Sequence, residues 1–390
     1  MPREFEIVLF GATGFAGRLT AEYLARHAPR ELRWALAGRS TRRLEEVRAA
    51  LAQADPDLDT LPLLTADVTD RAAVEQVVRA ARVVATTVGP YVLHGEAVVA
   101  ACADAGTDYL DLTGEPEFVN TTYVRHHRRA LETGARLVHS AGFDSVPHDL
   151  GAYFTVLQLP EDVPLRVSGY VRASAAFSGG TFQSALTGFS RARQNAAAAR
   201  ERRAQEPHPS QRRARAVPGC PHRDPVDGGW AVPLPTLDGS VVARSARADP
   251  RYGPDFRYSH YASAAHLTSV IGGAAAVAAL VGAAQVRPLR QALAGRLAPG
   301  QGPSASRRAR SWFRVTFVGT GGGRRVVTRV SGGDPGYDET AKMLAESALC
   351  LALDEVPHVA GQVTTATAMG DALLARLQRA GLSFEVLEAG

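Results

Sequence analysis

The sequence predicts an α/β protein with a doubly wound parallel sheet, followed by a second α/β domain built on a mixed or antiparallel sheet. Three observations carry this. Short apolar runs alternate with helical stretches through the first 155 of the 390 residues. A turn with three regularly spaced glycines follows the first run. Beyond that point the alternation gives way to hairpin-like pairs of strands.

Ile7 to Phe10 reads as a buried parallel strand, and a helix is expected from about Phe15 to Arg26. Between them stand Gly11, Gly14 and Gly17, with Thr13 and Phe15 in the same turn. The first glycine permits the tight turn, the second lets backbone approach a pyrophosphate, and the third lets helix pack on strand. Phosphates then meet the helix N-terminus, where free N–H groups and the dipole favour negative charge. This is the signature of a dinucleotide-binding Rossmann domain.

The second strand, Leu32 to Ala37, runs into Gly38, Arg39, Ser40, Arg42 and Arg43. A site for NAD usually carries Asp or Glu here to accept bonds from the ribose 2′-OH. Arginine instead accommodates a 2′-phosphate, so Arg39, Ser40 and Arg43 predict NADP(H) as the cofactor. The alternative is that these arginines only solvate the start of a helix.

Further strands are expected at Leu61 to Val68, Arg82 to Gly89, Tyr109 to Thr113 and Arg136 to Ala141. Helices are expected near 70–80, 95–105 and 117–133. Ligands gather outside the carboxyl ends of such strands. Asp67 and Val68 suit the adenine, although Asp67 with Asp70 could also cap the next helix. Val88, Gly89, Pro90 and Tyr91 should run past the nicotinamide. Asp111 and Asp144, after the fifth and sixth strands, serve either the site or ordinary helix capping.

After residue 155, Leu165 to Ala175 is a strand, and Gly179-Gly180-Thr181 opens a helix to about Gln205. An arginine-rich stretch spans 191–215, readable as a lid, as a docking surface for an acidic partner, or as a solvated helix and loop. Val232 to Ala246 reads as a hairpin turning at Asp238-Gly239, and Ser311 to Val330 as one turning at Gly321-Gly322-Gly323. Val270 to Val286 is Ala/Gly-rich and falls short of the ~20 residues that span a bilayer, so a buried helix is expected. Helices at 339–353 and 369–380 close the chain. The expected division is 1–155 for the nucleotide domain, 156–360 for the substrate domain, and 361–390 for a helix and strand returning to the first.

Composition narrows the function class. Net charge is +5, yet 43 of the 44 basic residues are arginine and only Lys342 is lysine. No nucleic-acid-binding motif accompanies them, so nucleic acid is not an expected partner. A single lysine makes Schiff-base chemistry an unpromising mechanism. Three cysteines, Cys102, Cys220 and Cys350, form neither a disulfide framework nor a zinc quartet, and no metal centre is expected. The N-terminus enters the first strand directly, so a cytoplasmic protein without membrane insertion is the expectation.

Several stretches together carry a family resemblance: GATGFAGRLTAEYL, LAGRS, TTVGPYVLHGEAVVAACADAGTDYLDLTGE, GFDSVPHDLG, YGPDFRYSHY and VSGGDPGYDETAKMLAESAL. The chain resembles the saccharopine dehydrogenase-like oxidoreductases, and within them the trans-acting enoyl reductases of actinobacterial polyketide and lipid pathways. The resemblance implies an active site between an NADP-binding domain and a C-terminal α/β domain. It also implies members acting on enoyl thioesters; an acyl carrier protein is the acidic partner the arginine-rich stretch would suit, and a homodimer is a further expected partner state.

Enoyl reduction builds enolate charge on the thioester oxygen and needs a proton for the α-carbon. Tyr91 follows the fourth strand beside the expected nicotinamide, with His94 one turn on. Tyr258, His260 and Tyr261 are the candidates from the second domain. Phe177, Phe182 and Phe189 suit an acyl chain better than the carboxylates of a saccharopine-type imine substrate. Imine or carbonyl reduction and cofactor binding without turnover are the competing readings.

Overall fold

The computed structural model describes residues 3–174, 190–207, 212–286, 289 and 302–390. Gly179, Gly180, Thr181, Phe177, Phe182 and Phe189 therefore lie outside the described residues.

The first sheet takes its strands from the expected runs: β1 (Phe5–Phe10), β2 (Trp34–Gly38), β3 (Leu63–Thr65), β4 (Ala81–Thr86), β5 (Asp108–Asp111) and β6 (Arg136–Val138). The helices between them are α1 (Phe15–His27), α2 (Thr41–Ala52), α3 (Arg71–Ala80), α4 (Tyr91–His94), α5 (Glu96–Ala105) and α6 (Pro116–Thr133). All pairings are parallel, and the order β3-β2-β1-β4-β5-β6 reverses between β1 and β4. Strands covered on both faces need continuous apolar runs, and Ile7, Val8, Leu9, Val83 and Val84 are all fully buried.

After α7 (Val146–Val156) the chain builds the second sheet from β7 (Leu165–Ser174), α8 (Ala192–Gln205), β8 (Arg213–Ala216), β9 (His222–Arg223), β10 (Trp230–Pro233), α9 (Asp238–Ala248) and β11 (Asp255–Ala264). It continues through α10 (Leu267–Gln285), α11 (Ala305–Arg308), β12 (Trp312–Gly321), β13 (Arg324–Gly332), α12 (Asp338–Leu353), β14 (Gly361–Val363), α13 (Thr365–Arg379) and β15 (Ser383–Ala389). The sheet is mixed: β7 pairs parallel with β11 and antiparallel with β12. The glycine hairpin forms as expected, with Gly322 and Gly323 at positive φ. In the 361–390 segment, β14 joins the first sheet beside β6, whereas β15 pairs with β13 in the second.

Three expectations are corrected. Val232 to Ala246 is not a hairpin: after β10, Asp238-Gly239 opens α9. The aspartate and glycine occupy the first helical turn, and Asp238 is buried. Of the Ala/Gly-rich α10, expected to be buried, the described residues are mostly exposed, with Ala284 buried. Methyl groups and glycines carry little apolar area, so exposing them costs little. No described helix is long and apolar enough to cross a membrane.

In the arginine-rich segment α8 is a largely solvated helix, with Arg193, Arg200 and Arg203 exposed, that ion pairs nonetheless tie to the protein. Arg191 forms a two-pronged ion pair with Glu117, while Arg202, Arg244 and Arg247 converge on Glu206. Arg212 donates to the carbonyls of Ala246 and Arg247.

Candidate active site

At the topological switch, the turn after β1 meets the loop after β4. Gly11 has φ +88°, and a Cβ there would come within 2.8 Å of Val88. The Thr87 hydroxyl donates to the Gly11 carbonyl at 3.0 Å, locking the two loops together. At Gly17 a Cβ would collide with the Gly11 carbonyl oxygen, so glycine lets α1 lie close against β1.

Gly14 is different. It is the N-cap of α1, no side chain caps that terminus, and no acidic residue occupies the first turn. Its Cβ would meet only the Gly11 oxygen, at 3.4 Å. The protein itself therefore has room for a side chain there, and the helix terminus presents bare N–H groups. These are the properties a pyrophosphate requires.

Beyond β2, Arg39 and Arg43 are exposed, and among the described residues neither joins an ion pair. Arg39 helps hold the Asp67 carboxyl below its usual range, after the hydrogen bonds from Thr69. Ser40 has a structural task, since its hydroxyl accepts from the Arg43 N–H and caps α2. Asp67 closes a turn onto Thr69, and Asp70 caps α3. Thr13 lies over Gly38, and Val68 packs against the core. The Phe15 ring packs edge-on against Tyr337 (4.6 Å) and under the Arg308 guanidinium (5.5 Å), bridging to the second sheet's helices.

The catalytic candidates are placed apart. Tyr91 is a buried clamp: its hydroxyl donates to the Thr86 carbonyl and accepts from the Leu112 N–H, both at 3.1 Å. Glu115 accepts from the N–H groups of Tyr91 and Val92, fixing the loop that starts at Gly89-Pro90. With its oxygen doubly engaged and burial pushing its pKa upward, Tyr91 is poorly suited to donate a proton. His94 is exposed at the end of α4. Tyr258 is fully buried, its hydroxyl 2.9 Å from His260 Nδ1. Tyr261 stacks on Tyr170 at 5.2 Å, in a separate apolar cluster.

The loop after β6 holds what sequence reasoning left undecided. Asp111 braces rather than caps a helix, accepting from His139, Tyr109, Thr113 and Ser140. Asp144 does not cap a helix either, since α7 starts after Ser145 without a side-chain cap. Its carboxylate lies against Gly114, where a Cβ would come within 2.6 Å. The residue itself is exposed. Crowding of its carboxyl by neighbouring protein atoms, with repulsion from Asp238, pushes that carboxyl upward.

Around it, Ser145 and His148 from the start of α7 meet Asp238 from α9 and His260 from β11. The Ser145 and Thr236 hydroxyls donate to Asp238. Burial depresses His148 to about 3 and His260 to about 4, so both imidazoles are neutral. Phe143 packs on Phe313 (4.9 Å) and on His148 (5.5 Å), walling the cluster with apolar surface.

The profile of the saccharopine dehydrogenase NADP-binding domain matches residues 7–138. A Mycobacterium tuberculosis protein named as a trans-acting enoyl reductase is 42% identical, the match covering 98% of each chain. This chain belongs to the saccharopine dehydrogenase-like oxidoreductases. The trans-acting enoyl reductase of Mycobacterium ulcerans is 37% identical over 97% of each chain. The saccharopine dehydrogenase (L-Glu forming) of Saccharomyces cerevisiae has the same fold, with a TM-score of 0.56 at 12% identity, covering 98% of this chain and 100% of that one. As a member of this family the chain binds NADP through its first domain. The glycine turn, the uncapped α1 terminus and the unpaired Arg39 fit that cofactor.

Within this saccharopine dehydrogenase-like chain, sequence reasoning left Asp144 open between the site and a cap, and missed His148 and Asp238 as chemical groups. A signal was present: Asp144, Ser145 and His148 stand in one short loop at a strand's carboxyl end. Asp238 was hidden inside a false turn.

Proposed function

We propose that the chain is an NADPH-dependent reductase of the C=C bond in an α,β-unsaturated acyl thioester, with Asp144 as the proton donor. Bound NADPH supplies the hydride that reaches the β-carbon. The α-carbon then needs a proton, and the raised carboxyl of Asp144 offers one near neutral pH more readily than an ordinary aspartate. Repulsion from Asp238 favours the protonated carboxyl. The carboxyl of Asp144 is the observation that carries the reading, because it is reachable, perturbed and set where the loops after β5 and β6 meet. The full-length likeness to chains named as trans-acting enoyl reductases supports the substrate class.

A saccharopine-type substrate carries several carboxylates and asks for paired basic groups. The groups gathered around Asp144 are instead carboxylates and neutral imidazoles, which favours an uncharged acyl chain. The test is NADPH consumption with enoyl thioesters on coenzyme A and on a carrier protein, beside keto acid plus amine. Turnover of the thioesters is the expected result, and turnover confined to the amine arm overturns the reading.

A further inference from the structure

Two histidines and a carboxylate converge in the interior with a geometry that hydrogen bonding does not account for. Nε2 of His148 stands 3.8 Å from one Asp238 oxygen, and Nε2 of His260 stands 3.5 Å from the other. Both separations are too long for a hydrogen bond. The rings sit 4.9 Å apart, centroid to centroid, and the three ligand-type atoms lie within 4.8 Å of one another. All three residues are buried, His148 at 3% and His260 at 7% exposure. His260 Nε2 has no hydrogen-bond partner although it is buried. A buried nitrogen without a partner is costly, so it calls for an explanation.

We propose that His148, Asp238 and His260 form a three-ligand site for Zn²⁺ with one coordination position open. Zn–N and Zn–O bonds of about 2.0–2.2 Å place ligands on a tetrahedron about 3.3–3.5 Å apart. The imidazoles face different oxygens of Asp238, and the ligand atoms lie within 4.8 Å of one another, so loading the ion draws the three side chains inward. The donor set of two imidazoles and one carboxylate recurs in catalytic zinc sites.

The surroundings match a ligated state. The Tyr258 hydroxyl lies 2.9 Å from His260 Nδ1, so an N–H donated there leaves the Nε2 lone pair facing Asp238. The Thr236 and Ser145 hydroxyls orient the carboxylate in the same manner.

The test uses the full-length protein, stripped with a chelator, reloaded with Zn²⁺, freed of excess metal and assayed for metal per chain. About one zinc per chain is expected, falling at least tenfold in Asp238→Asn and His260→Ala, while His266→Ala at an exposed position retains it. Co²⁺ in the wild-type chain should give the strong visible absorption of a four-coordinate site. Tyr258→Phe should weaken metal affinity roughly 10–100-fold while the chain still binds NADPH. Because the Co²⁺ spectrum is read on the wild type, misfolding of a variant does not decide the matter. Wild-type protein that retains no stoichiometric zinc, or equal retention in folded Asp238→Asn, overturns the site. Metal content is read without turnover, so this result stands apart from the enoyl reductase reading.

Discussion

Gly14 and Gly17 stand three residues apart in the same turn, and the structure assigns them opposite consequences. At Gly17 a Cβ would run into the Gly11 carbonyl oxygen and sit 2.9 Å from the Ala12 Cα, both backbone atoms. Backbone cannot rotate away, so Gly17→Ala must lift α1 off β1, an overpacking cost of about 1–3 kcal/mol. At Gly14, φ −75° and ψ 167° suit any L-residue, and a Cβ would make only an ordinary 3.4 Å contact. Gly14→Ala should therefore fold with nearly wild-type stability. Its methyl group, however, occupies the approach to the uncapped helix terminus. Losing one hydrogen bond to a charged phosphate costs about 1.5–3 kcal/mol, which weakens NADPH binding roughly 10–150-fold. Thermal unfolding of both apo variants, with fluorescence titration of NADPH, separates the two effects. Gly14→Ala that loses stability, or that keeps full NADPH affinity, would refute the assignment of this turn to the pyrophosphate.

Arg39→Ala should reduce NADPH affinity about 10–150-fold with little change for NADH, since a charge-assisted bond to the 2′-phosphate is worth about 1.5–3 kcal/mol; equal losses for both cofactors would remove the arginine from that role. Asp144→Asn should lower kcat far more than KM, and the wild-type rate should fall as pH rises through about 7, where the donor carboxyl ionises. A pH profile unchanged by the substitution would discharge Asp144 as the acid. Tyr91→Phe should cost about 1–3 kcal/mol of stability by stranding the Thr86 carbonyl and the Leu112 N–H, with turnover largely retained. A hundredfold drop in kcat at unchanged stability would instead restore Tyr91 as the proton donor.

The parallel sheet was legible because every local signal agreed. Runs such as Ile7 to Phe10 and Val83 to Ala85 are buried on both faces, and Gly11 and Gly17 answer steric demands that no other residue meets. The second half was less legible where one residue pattern serves two structures. Asp238-Gly239 is a strong turn signal, but flanking residues Val241 and Val242 bury as a helix face. The Ala/Gly run of α10 has the composition of a packed helix yet finds little to pack against among the described elements. The site was hardest to see, since His148, Asp238 and His260 come from three elements spread over more than a hundred residues. Tyr91 drew notice by its place after β4, and only the bonded geometry of its hydroxyl shows that it holds two strand ends together.

The seventh strand of the first sheet, β14, arrives from residue 361, after the chain has already built most of the other lobe. α12, which precedes it, lies across α1, and Glu346 accepts from the Tyr23 hydroxyl at 2.7 Å. A single apolar cluster runs from Ile7 and Leu9 through Phe317 and Leu349 to Phe384. The polypeptide is thus sewn back and forth between its halves, and neither half owns all its own parts. Cutting near residue 155 would strip the first sheet of an edge strand and of the helix that covers its face. Expressed alone, that fragment would present bare sheet to solvent and aggregate. The lobes are separable on a topology diagram, but they are made, and come apart, as one piece.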